Sequence, residues 1–448
     1  MNNEKQGKLK RSLSLSHVVF FGLAFMAPGT VFGTYGVAAF ESKGMIAAGY
    51  IAALFVMLFT AYSYAQLVKA FPSAGAAYTF TQKAINPYLG FLVGWAILLD
   101  YMLSPMISSL LLSISLKAYF PAVPMFVWII IFVIVITTIN ILGIKFAANF
   151  NTYVFLLQML SFILFVFFAL KYLLHGDGGG TSFSILPFYD HNVKFSALAG
   201  VIPVLCFTYL GFDAVTALSE ETKNPTKTLP KAIYLIPIIG SVIYVIATYL
   251  LQIVYPNISS FSDPQSVQYK IFYLIGGMFL KSVFVAMGIV ASVTSAIASG
   301  SSASRIMYAM GRENILPKKL FGYISPKFHT PVFNILIVGA VALSSMLFNL
   351  NFATSLINFG AFFAFIFVNI SVITHYFIKN KERSLKGSIK YLVLPLIGAV
   401  LIFALWLNLG KFSLVLGGVW LIIGFIYLLK QTKMFKQSPS DVFLDTEA

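Results

Sequence analysis

Twelve stretches of about twenty apolar residues follow one another along this chain, and each is long enough to cross the ~30 Å hydrocarbon layer of a bilayer as a helix. They lie near 15–40, 44–69, 86–118, 125–144, 150–173, 195–219, 231–254, 272–298, 332–349, 353–378, 391–409 and 412–430. A backbone N–H or C=O in lipid has no water to bond, so a spanning segment must be a helix or part of a closed barrel. Runs this long predict helices. The expectation is an all-α integral membrane protein of twelve transmembrane helices, a single domain over residues 1–448, multi-pass in the plasma (inner) membrane with the lipid bilayer as its surroundings. Only 10% of the residues are charged, against about 25% in soluble domains.

An even number of spans puts both termini on one side. Of the 30 Lys and Arg, 23 fall on that side and 7 on the other, which predicts cytoplasmic termini. The net charge of +16 is mostly this asymmetry. No soluble face gathers it, so no nucleic-acid partner is expected. The single Cys206 lies within a span and excludes a disulfide framework. Residues 1–27 imitate a signal peptide, with Lys5, Lys8, Lys10 and Arg11 ahead of an apolar run. The run continues to Phe40 and eleven more spans follow, so an uncleaved first span is expected.

Two spans are interrupted. The first reads LSHVVFFGLAFMAPGTVFGTYGVAAF, with Pro28, Gly29 and Thr30 near its middle. Proline removes a backbone hydrogen bond and glycine permits non-helical geometry, so this helix is expected to break; a simple kink is the alternative. The sixth leads into YLGFDAVTALSEETKNPTKTLPKAI, where Gly211 stands beside Asp213. A carboxylate near the bilayer centre costs roughly 3 kcal/mol even on insertion scales. It marks a functional site or caps a second half-helix. The breaks are five spans apart, and an odd-numbered repeat inserts its second copy upside down. Such inverted repeats build a mid-membrane site from two discontinuous helices. Pro28, Gly29, Thr30, Tyr209, Gly211, Phe212 and Asp213 are therefore candidate substrate-binding residues.

Other polar residues fall at membrane depth. The third span, GWAILLDYMLSPMISS, puts Asp100 and Tyr101 near its middle, with Ser104 on the face of Asp100. Asp100 is a counter-ion for a cationic cargo, a proton carrier, or a partner for a neighbouring helix. Asp213, Thr216 and Glu220 share one helical face. Glu220 and Glu221, near Lys223, Lys227 and Lys231, suggest an inner gate closed by ion pairs, or simply a solvated helix end. The eighth span ends VTSAIASGSSASR, whose small residues suit close helix packing and whose Thr294 and Ser295 could ligate sodium. Trp95, Trp128, Trp406 and Trp420 read as interfacial anchors. The GDGGG of the 175–191 loop follows no strand and precedes no GK[ST], so it reads as a connector. No HExxH, cysteine pair or nucleophile elbow is present, and the chain implies neither an enzyme nor a cofactor or metal centre.

Several motifs carry a family resemblance. Tyr209 to Ile233, with GFD, EE, NP and a final P, resembles the sixth-helix signature of the amino acid, polyamine and organocation (APC) superfamily. RIMYAMGRENILPKKLFGYISPKFHTP resembles that superfamily's loop between helices eight and nine, and FPSAGAAYTFTQKAINPYLGFLVGW its segment between helices two and three. AGAAYTF, INPYLGFLVGW, LLDY and INFGAFFAFIFVN are most similar to the bacterial putrescine importer group. The resemblance implies the five-plus-five inverted repeat of the APC fold, here about 15–173 and 195–378 with two additional helices in 391–430, and alternating access with ion-coupled uptake. Permeases of the superfamily that carry amino acids usually hold the substrate carboxylate on a Gly-Ser-Gly-like turn of helix one, where this chain has Ala27-Pro28-Gly29. Many also carry a proton-linked lysine in helix five, where Gln158 stands. Both departures favour a purely cationic cargo. In the putrescine importer group an acid follows the TVF triplet of helix one; here that place is Gly33.

The expectation is a secondary transporter that imports a small cationic amine, putrescine or a relative, coupled to protons or else to sodium. Asp100 is its expected counter-ion and Tyr101 lines the site. An amino acid permease or exchanger is the alternative. A channel would need a polar stripe through several spans, and a sensor an output domain.

Overall fold

The computed structural model describes residues 13–72, 76–142, 148–175, 183–219, 222–258, 263–312, 316–328 and 330–435. Among these, every regular element is helical; Leu13 and Thr222 form one isolated parallel bridge. Nine described helices are long and apolar enough to span a membrane, or ten if the bent pair α1 (Leu15–Met26) and α2 (Thr30–Glu41) is one span. The others are α3 (Ile46–Ala70), α5 (Pro87–Tyr119), α6 (Met125–Leu142), α7 (Ala148–Leu174), α9 (Pro225–Val254), α10 (Val267–Arg312), α13 (Leu350–Val372) continued by a π turn over Ile373–Lys379, α15 (Leu394–Leu407) with its lead-in, and α16 (Lys411–Gln431). Short helices complete the order: α4 (Ala76–Ala84), α8 (Phe195–Phe207), α11 (Lys318–Phe321), α12 (Val332–Leu343) and α14 (Leu385–Ser388).

The expected sixth and ninth spans are the short ones. α8 stops at Phe207 and resumes only as a 3-10 turn at Ala214–Leu218, while α12 passes into a 3-10 turn at Ser344–Leu347. The eighth begins earlier than its hydropathy suggests, at Val267, and breaks at Gly277, whose φ of 62° and ψ of −157° lie outside helical space.

Burial ranks the helices. The apolar windows of α5 and α13 are 72% buried, those of α6 and α16 only 22%. Hence α5 and α13 form the bundle's interior. With no hydrophobic force between helices in lipid, polar contacts help fix their register. Asn369 of α13 donates to Thr60 at 3.2 Å and accepts from Ser63 of α3 at 2.6 Å, all buried. Two of the expected interfacial tryptophans are instead an internal clasp. Trp95 and Trp420 stack at 4.8 Å, and each indole N–H donates to the other's carbonyl at 2.9 Å. Trp406 likewise donates inward, to Phe359 O at 3.1 Å.

Candidate substrate-binding site

The helix-one break is set two residues earlier than its glycine. Pro28 disfavours right-handed helical geometry at the preceding residue, and Ala27 sits at φ 45°, ψ 77°. Gly29 itself is helical at φ −63°. α1 and α2 consequently meet at a 48° bend. The N–H groups around the break are committed. Ala27 donates to Leu23 O, Pro28 has none, Gly29 donates to Gln158 Oε1 at 3.4 Å, and Thr30 donates to Ala27 O at 2.8 Å.

The helix-six break needs its glycine on two counts. Gly211 has φ 107°, and a Cβ there would stand 2.3 Å from Phe25 Cδ1. The chain then turns through Asp213 into the 3-10 segment, so residues after Gly211 do not follow the α-helical face expected of them. Asp213 holds the N-cap position without a side-chain cap bond, and Thr216 is buried with its hydroxyl on Asp213 O at 2.7 Å.

Between the breaks lies a cavity of about 200 Å³. It is lined along α5 from Ile97 to Ser115, a rise of ~27 Å at 1.5 Å per residue. Asp100, Tyr101, Ser104, Gly29, Thr30, Gly211, Asp213, Gln158, Thr294 and Ser295 all line it. Pro28, Tyr209 and Phe212 do not line it. Tyr209 is fully buried with its hydroxyl on Tyr50 O at 3.0 Å, and Phe212 packs on the rings of Tyr64 and Phe365. Glu220 and Glu221 lie outside the described residues, so the ion-pair gate is not described either.

The two acids have neutral partners. Tyr64 donates to Asp213 Oδ2 at 3.2 Å, and Ser104 donates to Asp100 O at 2.9 Å and to its Oδ1 at 3.4 Å. Among the described residues the one ion pair is His191 with Asp190, and neither lines this cavity. The cavity therefore presents two carboxylates with no protein cation against them. Thr294 spends its hydroxyl within its own helix, on Val290 O. No group of three or more His, Cys, Asp or Glu suited to a metal occurs among the described residues.

Several groups in and around the cavity escaped sequence reasoning. Tyr64 lies 149 residues from Asp213, and only the fold joins them. At the other end of the cavity Phe32, Phe165, Phe272 and Phe284 form a ring cluster, with Phe272 stacked on Phe284 at 4.0 Å. Beside it Ser115 and Tyr269 share a short hydrogen bond. Tyr269 and Phe272 belong to the part of α10 before Gly277; the expected eighth span opens at Phe272, and hydropathy leaves Tyr269 in the loop before it.

Comparison with known proteins gives concordant matches. The family model described as amino acid permease matches residues 17–443. Over 435 residues the chain is 41% identical to the low-affinity putrescine importer PlaP of Escherichia coli, covering 97% of this chain and 96% of that protein. It is 28% identical to the branched-chain amino acid permease BcaP of Bacillus subtilis, with 95% of each covered, and 26% identical to the methylthioribose transporter of the same organism, with 96% and 95% covered.

Proposed function

Because the chain belongs to the amino acid permease family, and is thus a transporter rather than an enzyme, we propose that its cargo is a small organic amine, putrescine or a relative, taken up by alternating access. The observation that carries this reading is the pairing of two breaks. Two carboxylates without a protein cation face a helix-one turn whose N–H groups are already bonded. A cationic amine finds counter-charge there, whereas the carboxylate of an amino acid finds like charge. The name of the Escherichia coli relative, a putrescine importer, points the same way. Asp100 serves as the counter-ion, with Tyr101 offering its ring face to the ammonium group; Asp213 and Gly211 form the second half of the site.

The finer architecture belongs to the same proposal. α8 with its 3-10 extension and α12 with its own complete twelve spans, arranged as two inverted repeats of five plus two further helices, with both termini cytoplasmic. Coupling is to protons, since the carboxylates can carry them and Thr294 is spent within its helix.

The test is uptake of labelled putrescine into proteoliposomes under a pH or a sodium gradient, competed by amines and by amino acids. Uptake driven by the pH gradient and blocked by amines is expected, and Asp100→Asn should abolish it at unchanged membrane abundance. Flux and competition confined to amino acids would overturn the reading.

A further inference from the structure

On the outer face of the bundle, α3 is flanked by α9 and α15, which pack against it far more than on one another. The lipid-facing side of α3 is thus the floor of a groove. Ile51 and Phe55 are exposed on it, and Phe59 and Tyr62 continue the same face half-buried. α9 carries exposed Ile238 and Val242, and α15 carries exposed Val400 and Phe403.

One end of this groove is polar and built. Tyr62 donates to Lys390 O at 2.9 Å, and Tyr376 donates to Gln66 O at 3.1 Å while its ring stacks on Tyr391 at 4.4 Å. Tyr234 of α9 lies within electrostatic reach of Tyr62, as do Tyr376 and Tyr391. Tyrosines of three further elements therefore gather around Tyr62. Two are carried by π turns, Ile373–Lys379 and Ile389–Val393, a rare geometry that often marks functional positions.

The charge around this rim is one-sided. Lys231 is exposed one helical turn before Leu235, on the lipid-facing stripe of α9, with exposed Lys227 a turn further out. Lys386 and Lys390 are exposed at the start of the α15 segment. Lys379, Lys381 and Arg383 lie alongside, and Glu382 is the one acid among them. Arg383 is turned onto Phe377, its Nε donating to Phe377 O at 3.4 Å. None of the lysines has an ion-pair partner among the described residues.

An apolar channel ending in tyrosines and exposed lysines complements an anionic amphiphile. We propose that the groove holds one anionic phospholipid, its acyl chain along the floor of α3 and its phosphate between Lys231 and Lys390 at the tyrosine rim. Basic pockets between transmembrane helices bind lipid headgroups in this way. On the orientation proposed above the lipid belongs to the inner leaflet, but its recognition chemistry is the same in either.

Native mass spectrometry of the full-length protein, titrated with phosphatidylglycerol or phosphatidylcholine of the same chains, tests this. The protein should retain one phosphatidylglycerol in preference to phosphatidylcholine. Lys231→Gln with Lys390→Gln should weaken phosphatidylglycerol roughly thirtyfold and leave phosphatidylcholine unchanged. The control pair Lys318→Gln with Lys319→Gln, exposed elsewhere, should behave as the parent. Equal retention of the two lipids, undiminished phosphatidylglycerol binding in the first pair, or an equal loss in the control would overturn the proposal. Folding of each variant is checked by monodispersity, and both sites are exposed lysines with no ion-pair partner among the described residues.

Discussion

Gly211→Ala separates the two reasons for a glycine at the helix-six break. The backbone there has φ 107°, a region whose occupation by an L residue costs of order 1–3 kcal/mol. The new Cβ would also stand 2.3 Å from Phe25 Cδ1, and such overpacking costs about 1–3 kcal/mol. Phe25 is 38% exposed, so its ring can swing aside and the steric cost falls near ~1 kcal/mol. Together the penalty is about 2–4 kcal/mol, a factor of roughly 30 or more in the population of the state with this backbone. Initial rates of putrescine uptake in proteoliposomes, with thermal stability of the purified variant, measure it. The cycle with Phe25→Ala divides it. Removing the ring should return only the steric share, about fivefold, and leave the larger conformational defect. Normal transport by Gly211→Ala, or complete rescue by Phe25→Ala, would refute the requirement for a left-handed residue at this turn.

Tyr64→Phe removes the hydroxyl on Asp213 while its ring stays among Phe80, Phe212 and Phe365; a bond to a charged group is worth about 1.5–3 kcal/mol, so KM for uptake should rise tenfold or more without loss of thermal stability. Gln158→Lys takes the acceptor from the Gly29 N–H and puts a cation into the cavity wall; saturation uptake should show amine affinity falling at least tenfold. Gly36→Ala would bring a Cβ to 1.9 Å from Pro264 O, a backbone atom that cannot swing away, so the start of α10 must lift from α2. Labelling of a cysteine placed at Ser115 by an impermeant thiol reagent should then speed up.

The nine or ten long apolar helices among the described residues were legible because membrane solvation imposes one rule on every segment, and hydropathy reports it directly. The broken helices were legible for the same reason in reverse, since Pro28, Gly211 and Asp213 violate that rule. Where the backbone leaves the α-helix, the reading failed. Tyr209 and Phe212 were named because they flank the Gly211 break, but the backbone there carries both rings into the core. Gly277 was missed because Gly276 and Gly277 stand together in an apolar run, and only the docking of the preceding helical stretch selects which one breaks. Tyr64 could not be assigned to Asp213 from sequence at all, because that pairing is tertiary. Its own span did hold a cue, a tyrosine pair in YSYAQ within an otherwise apolar run.

Selectivity in such a cavity follows from what each break leaves available. Asp100 and Asp213 are held by hydroxyl donors, Ser104 and Tyr64, which satisfy lone pairs without cancelling charge. A cation entering the cavity exchanges its hydration for these carboxylates and completes the neutralisation that the protein leaves undone. An amino acid would bring its own carboxylate to the same wall. Its natural donors would be the N–H groups of the helix-one turn, yet Thr30 is bonded to Ala27, Gly29 to Gln158, and Pro28 has none. One unmade hydrogen bond to a buried group costs about 1–3 kcal/mol, a discrimination of roughly five- to 150-fold before any repulsion from the acids is counted. On the proposed function Gln158 would be as much a part of cargo choice as Asp100, because it consumes a donor that a zwitterion would need and a diamine would not.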